Sequence, residues 1–387
     1  MGRRRRTGRS ELNQAHLKPV ACLRLMQRSG DRQRPSAGRS RRASERAVRA
    51  RLARFGRLRA LGGRIPLDLA SRAKGNQLNR RSAAFAGQNE NAVPRLDGAD
   101  EGHLDPAQLI GLMDHPPELF IPVIQGRQPV VFVHGLWLLD SSWNHWGPFF
   151  EDAGYSAVAP SWPDDPPTVE LARQDPSVFA GKTIGDIAAY QQEIIGQLDT
   201  KPAVIGHSFG GLLAQILAGR GLSAATVAVD PAPSRGVLPL PPAAIKSSAA
   251  VLTNPANRHR AVALTFEQFR YGFGNAVSQD EARQLYEQYH VAGSGIPIFQ
   301  AAFANFNPRT EAKADKKNPD RGPMLIIGGE KDHQVPWAIA SATYKEQSEN
   351  PGVTEIAEIP NRGHSLTIDS GWQEVAQTCL NFIRRFV

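Results

Sequence analysis

The chain has 387 residues, 41% of them hydrophobic, enough for one large domain or two ordinary ones with a sizeable core. Its formal charge of +9 is unevenly placed: residues 1–112 hold 25 Lys and Arg against 9 Asp and Glu, and the remainder is mildly acidic. Two cysteines, Cys22 and Cys379, with no CxxC and no HExxH, exclude a disulfide framework and the common zinc-site spacings.

Scarce cysteine leads us to expect a reducing, cytoplasmic compartment. Met1 to Arg6 resembles the charged start of a signal peptide, but Arg24, Arg28, Arg32 and Arg34 interrupt every apolar run that follows. No stretch approaches the length of a transmembrane helix. Residues 1–112 are rich in Arg, Ala, Gly and Ser, and their only aromatics are Phe55 and Phe85. Such a basic, low-complexity segment buries too little apolar surface to offset its chain entropy and is expected to be disordered. Three readings are open for it: a tail for acidic surfaces, an Arg-rich transit segment, or a start codon assigned too far upstream, with the compact domain beginning at Met113. Residues 47–60 have the pattern of a basic helix, to which no function attaches.

From residue 120 strand and helix patterns alternate. Val130–Val133 is a buried strand that ends at His134-Gly135. Ser141–Ala153 reads as a helix capped by Ser141 or Ser142 and stopped at Gly154. Tyr155–Ala159 is a strand, closed by Pro160 and Pro163. Over Thr183–Leu198, Ile184, Ile187, Ala188, Ile194, Ile195 and Leu198 fall on one helical face. Ala203–Ile205 and Ala225–Val229 are strands flanking a helix at Gly210–Ala218. Met324–Ile327 and Thr354–Ile359 are further strands, and Gly371–Phe386 closes the chain as an amphipathic helix. The alternation predicts an α/β fold, a doubly wound, mainly parallel sheet with helices on both faces. Between Asp230 and Gly322 it stops. A structureless loop of that length is improbable, so a helical cap insertion is expected at about residues 238–318, within a domain spanning 113–387.

Gly206-His207-Ser208-Phe209-Gly210 fits Gly-x-Ser-x-Gly between a predicted strand and a predicted helix. The pattern has a mechanical cause. A strand turning directly into a helix bends sharply at Ser208, and a side chain two residues before or after it would strike neighbouring backbone. The bend presents the hydroxyl, and the helix directs its N-terminal N–H groups at the same point. Upstream, the turn at His134-Gly135-Leu136-Trp137 ends a strand, where ligands collect in doubly wound sheets. The Leu136 N–H, with that of Phe209, is expected to form an oxyanion hole; Trp137 is the alternative to Leu136. His134 is expected to hold the loop.

These segments, with Gly329-Glu330-Lys331-Asp332 and Gly363-His364, resemble the α/β-hydrolase superfamily from about residue 128 to 387. The resemblance implies the chain order Ser, acid, His, and the insertion matches the family's cap position. His364 lies on the loop after a strand, where a base could reach Ser208; adjacent His207 points to the wrong side of the bend and reads as structural. Asp332 matches the family's acid position. Asp230 is the rival, Glu330 a poor third, and His333 is too near Asp332 in the chain to pair with it across the site. The resemblance therefore implies a catalytic triad of Ser208, Asp332 and His364. Serine at the elbow disfavours the epoxide hydrolase and dehalogenase chemistries that need Asp there.

The expected function is a serine hydrolase that cleaves an ester or related acyl bond through an acyl-enzyme on Ser208, with no metal and no cofactor. The expected partner is a small-molecule substrate, an apolar ester by preference, and no nucleic acid is expected for the core. Trp137, Phe266, Phe269 and Tyr271 are candidate substrate-binding residues, along with Phe273, Trp143 and Trp146; the competing reading places the insertion's aromatics in its own core. Alternatives are a cofactor-free perhydrolase or haloperoxidase-like enzyme, a carbon–carbon bond hydrolase, a non-catalytic binding protein on the same fold, or a basic tail that is itself the business end.

Overall fold

In the computed structural model, which describes residues 123–387, the first strand runs Pro129–Val133 (β1). The basic segment 1–112, Cys22 and Met113 lie outside the described residues. Five more strands join β1: Ser156–Val158 (β2), Ala203–His207 (β3), Ala225–Val229 (β4), Met324–Gly329 (β7) and Thr354–Ile359 (β8). They pair in the order β2-β1-β3-β4-β7-β8, every pairing parallel. Winding reverses between β1 and β3. A crevice therefore opens beyond their carboxyl ends, where residues 134–137 and Ser208 lie.

Side-chain alternation along the strands sorts the core into two layers. Val131, Val133 and Val204 face the layer shared with the helices Ile184–Ile195 (α3) and Phe209–Gly219 (α4). Val130, Phe132, Ala203 and Ile205 face the helices Trp146–Asp152 (α1) and Trp372–Ile383 (α10). Each fully buried Val, Leu, Ile or Phe contributes about 1.5–3 kcal/mol. α3 starts as its sequence dictates: Thr183 and Asp186 form a reciprocal capping box, and Ile184, Ile187, Ala188, Ile194 and Ile195 are buried. α4 is buried along its whole length.

Two expectations are corrected. The helix expected over Ser141–Ala153 is a 3₁₀ turn at Asp140–Trp143 followed by α1, and neither serine caps it; the Ser142 hydroxyl donates to Leu139 O instead. The break turns Trp143 and Trp146 inward together against Phe132. Both tryptophans therefore belong to the layer facing away from Leu136 and Phe209 and form no wall of the crevice. A short helix at Val169–Gln174 (α2) was not foreseen; Thr168 caps it.

Between β4 and β7 stand the helices Pro242–Leu252 (α5), Phe266–Gly272 (α6), Gln279–Tyr289 (α7) and Gly295–Ala302 (α8). The pattern had shown only helix here. A two-stranded antiparallel ribbon of Ala261–Val262 (β5) and Gly293–Ser294 (β6) ties these helices together. The last sheet crossover contains the helix Trp337–Gln347 (α9).

Candidate active site

Ser208 connects β3 directly to α4, with φ 57° and ψ −119°, a conformation that costs a non-glycine residue about 1–3 kcal/mol. Backbone hydrogen bonds hold the bend: Ser208 N–H donates to Val229 O, and Ser208 O accepts from Leu212 and Ala232. The two flanking glycines are steric requirements. A Cβ at Gly206 would lie 2.0 Å from Gly210 O, and one at Gly210 would lie 2.0 Å from Val133 O. Gly135 approaches from the β1 loop, where a Cβ would come 2.8 Å from Ser208 Cβ.

The three candidate triad residues meet although they are far apart in the chain. Nε2 of His364 is 2.9 Å from Ser208 Oγ, and Nδ1 is 2.6 Å from Asp332 Oδ2. A carboxylate only accepts, so the ring proton sits on Nδ1 and Nε2 accepts from the serine hydroxyl. Asp332 is itself held, its Oδ1 accepting from the N–H groups of Gln334 and Val335. Phe273 and His364 meet in a T-shaped contact, ring centroids 4.7 Å apart. All three residues are buried.

Asp230, the rival acid, also reaches the site. It is fully buried; Oδ1 accepts from Gly329 N–H, and Oδ2 is 3.9 Å from His364 Nδ1, with no hydrogen-bond partner of its own among the described residues. Burial, and then the charge of Asp332, push its carboxyl well above the usual range and favour its neutral form. His207 Nε2–H donates to His364 O at 2.9 Å, so it anchors the loop under the imidazole. Burial and the neighbouring His364 hold His207 well below the ordinary imidazole value. Ligand atoms of His207, Asp230 and His364 lie within 4.8 Å of one another. Both nitrogens of His364 are already engaged and Nε2 of His207 is donating, which suits hydrogen-bond relay better than metal ligation.

Among the described residues, neither the Leu136 N–H nor the Phe209 N–H meets a protein acceptor, and Phe209 is the first residue of α4. Trp137, the alternative donor, has φ 67° and is tied down at both ends: its indole donates to Val262 O, and its carbonyl accepts from Val291 N–H. Its ring meets Phe273 edge-on. Phe269 is wholly buried and stacked on Phe273, in the apolar cluster they share with Val133, Trp137 and Leu212. Phe266 and Tyr271 are not brought to Ser208. They line an outer concavity of about 910 Å³, none of whose lining residues belongs to the Ser208–His364–Asp332 set. The sequence placed Phe266, Phe269, Tyr271 and Phe273 in a helical insertion without revealing which face it would turn outward. His333 bonds Tyr271 O through Nδ1.

Sequence reasoning missed two charged residues beside this loop. Asp165 Oδ1 accepts from Lys182 Nζ at 2.5 Å, and its Oδ2 lies 3.4 Å from His134 Nε2. His134 stacks on Trp162. No motif marks Asp165 or Lys182, because the fold alone brings them to residue 134.

A sequence model of the alpha/beta hydrolase family matches residues 130–378, well over half of the chain. Among solved structures, the monoacylglycerol lipase of Paleococcus ferrophilus is 19% identical over 67% of this chain and 95% of that one, with a TM-score of 0.48. A pyrethroid hydrolase from Sphingobium faniae is 17% identical over 66% of this chain and 96% of that one, with a TM-score of 0.47. An extracellular α/β-hydrolase from a Paenibacillus species is 18% identical over 66% and 98%, with a TM-score of 0.47. No curated protein matches the chain. Among the described residues, no helix is long and apolar enough to cross a membrane.

Proposed function

The chain belongs to the alpha/beta hydrolase family, and on that premise we propose that it is a serine hydrolase cleaving a carboxylic ester of a small molecule. The observation that carries this reading is the hydrogen-bonded series Ser208–His364–Asp332, with links of 2.9 and 2.6 Å, on a strained turn at the helix start. In the proposed reaction Ser208 Oγ bonds to the ester carbonyl carbon while Nε2 of His364 takes the hydroxyl proton. Asp332 fixes the tautomer and stabilises the imidazolium. The N–H groups of Leu136 and Phe209 receive the oxyanion; losing one such donor typically costs about 10²–10³ in rate. Collapse breaks the ester C–O bond, and His364 hands its proton to the departing alcohol. Water, deprotonated by the same nitrogen, then releases the acid and restores the serine.

A panel of 4-nitrophenyl esters of increasing chain length, run with wild type and Ser208→Ala, tests the reading. Ser208→Ala should lose about 10⁴–10⁶ in kcat, and a fluorophosphonate should label Ser208 alone. Turnover that survives the substitution, or labelling elsewhere, would reject it.

A further inference from the structure

The proposed acyl transfer makes no use of Lys182, although this lysine is buried and lines a cavity together with Gly135, Leu136 and Trp137. Its side chain is 9% exposed and that of Asp165 is 1% exposed. Phe179 lies under the ammonium at 5.1 Å. An ammonium has three N–H donors, and among the described residues the one hydrogen-bond acceptor for Nζ is Asp165. Buried donors left unmet are costly, so the remaining capacity needs an acceptor.

A small cavity adjoins it. Its lining includes Lys182 and Asp165, Ser294, and Gly135, Leu136 and Trp137, the segment expected to receive the oxyanion. Gly135 is also the residue whose added Cβ would sit 3.5 Å from Ser208 Oγ. The cavity measures about 10 Å³, room for one water-sized group. A methylene would fill it and leave the ammonium unmet; an oxygen would fill it and accept.

We propose that this cavity is a polar subsite of the ester-binding site, in which Lys182 donates a hydrogen bond to an uncharged keto, hydroxyl or ether oxygen of the substrate. The inference rests on Ser208 being the nucleophile, and it narrows the substrate from an apolar ester to one with an oxygen a few atoms from the scissile carbonyl. The charge balance selects a neutral acceptor. Asp165 already neutralises Lys182, so a substrate carboxylate would bring an unmatched negative charge next to the place where the oxyanion forms.

The test compares pairs of equal shape. In the acyl arm, 4-nitrophenyl 4-oxopentanoate is set against 4-nitrophenyl 4-methylpentanoate, with the hemisuccinate as the charged control. In the alcohol arm, 2-methoxyethyl butanoate is set against butyl butanoate. Each ratio of kcat/KM is corrected by the ratio for hydroxide-catalysed hydrolysis. Wild type should favour the oxygenated ester at least tenfold in one arm, and Lys182→Met should bring that ratio to about one. Because Lys182→Met strands a buried carboxylate, the pair Lys182→Met with Asp165→Asn is measured as well and should lose the same preference. A corrected ratio near one in both arms of wild type, a preference that survives both variants, or a hemisuccinate preferred over either would overturn the subsite. Failure of the underlying reading looks different: no ester turns over, Ser208 takes no phosphonate, and the subsite falls with it.

Discussion

Asp230 and Asp332 present carboxyl oxygens to the same nitrogen of His364, at 3.9 and 2.6 Å. The nearer one makes the hydrogen bond. The farther one is fully buried, and its raised proton affinity comes from burial first and from the Asp332 charge second. Substituting Asp332 removes that second cause and lets Asp230 ionise more readily.

From this pair follows a double-mutant prediction. Loss of the triad carboxylate in a serine protease costs about 10⁴ in kcat. Asp332→Asn should cost less here, about 10², with residual activity that rises with pH as Asp230 ionises. Adding Asp230→Asn should remove at least another tenfold. A double variant as active as Asp332→Asn alone would show that Asp230 gives no support.

The elbow glycines should be intolerant of even one methyl group. An alanine at Gly206 or Gly210 meets a backbone oxygen that no side-chain rotamer can move aside. Overpacking of this kind costs about 1–3 kcal/mol and sometimes more. Thermal unfolding should shift down by several degrees, or the protein should fail to accumulate folded. An unchanged midpoint for Gly210→Ala would refute the steric account.

Acid sensitivity should trace in part to His290. Burial, and then the nearby Arg173 charge, lower its pKa from 6.5 to about 3. Its Nε2 accepts from Leu264 N–H, a bond only the neutral ring can make. Below pH 6.5 the unfolded chain takes up a proton that the folded one refuses. Stability therefore falls as pH drops from 6.5 towards about 3, by at most about 1.4 kcal/mol per pH unit from this group. His290→Gln, which keeps an acceptor, should give a shallower decline in denaturant titrations across that window. Equal slopes would place the sensitivity elsewhere.

The aromatics at residues 266–273 should divide by face. Phe266→Ala and Tyr271→Ala alter an outer concavity and should leave kcat/KM for 4-nitrophenyl esters within about threefold of wild type. Phe273 packs against the His364 ring in a T-shaped contact with centroids 4.7 Å apart, so Phe273→Ala should lower kcat. The opposite ranking would mean that substrate reaches Ser208 past Phe266 and Tyr271.

What the sequence revealed follows from where each constraint is written. The bend at Ser208 is a local backbone problem, so its solution appears locally, as Gly206 and Gly210 around the serine. The parallel sheet with helices on both faces was legible because strand and helix patterns alternate along the chain. Asp332 and Asp230 could be ranked by chain position, yet their approach to one ring nitrogen needed the fold. Asp165 and Lys182 left no trace, since an ion pair across a loop imposes no spacing. The helix expected over Ser141–Ala153 divides into a 3₁₀ turn and α1, a break that helix patterning does not encode.

Trp137 follows directly on Leu136 and is fastened to the insertion through Val262 and Val291. A displacement of β5 or of residues 289–293 would therefore be transmitted through Trp137 to the chain one residue from the N–H proposed to receive the oxyanion.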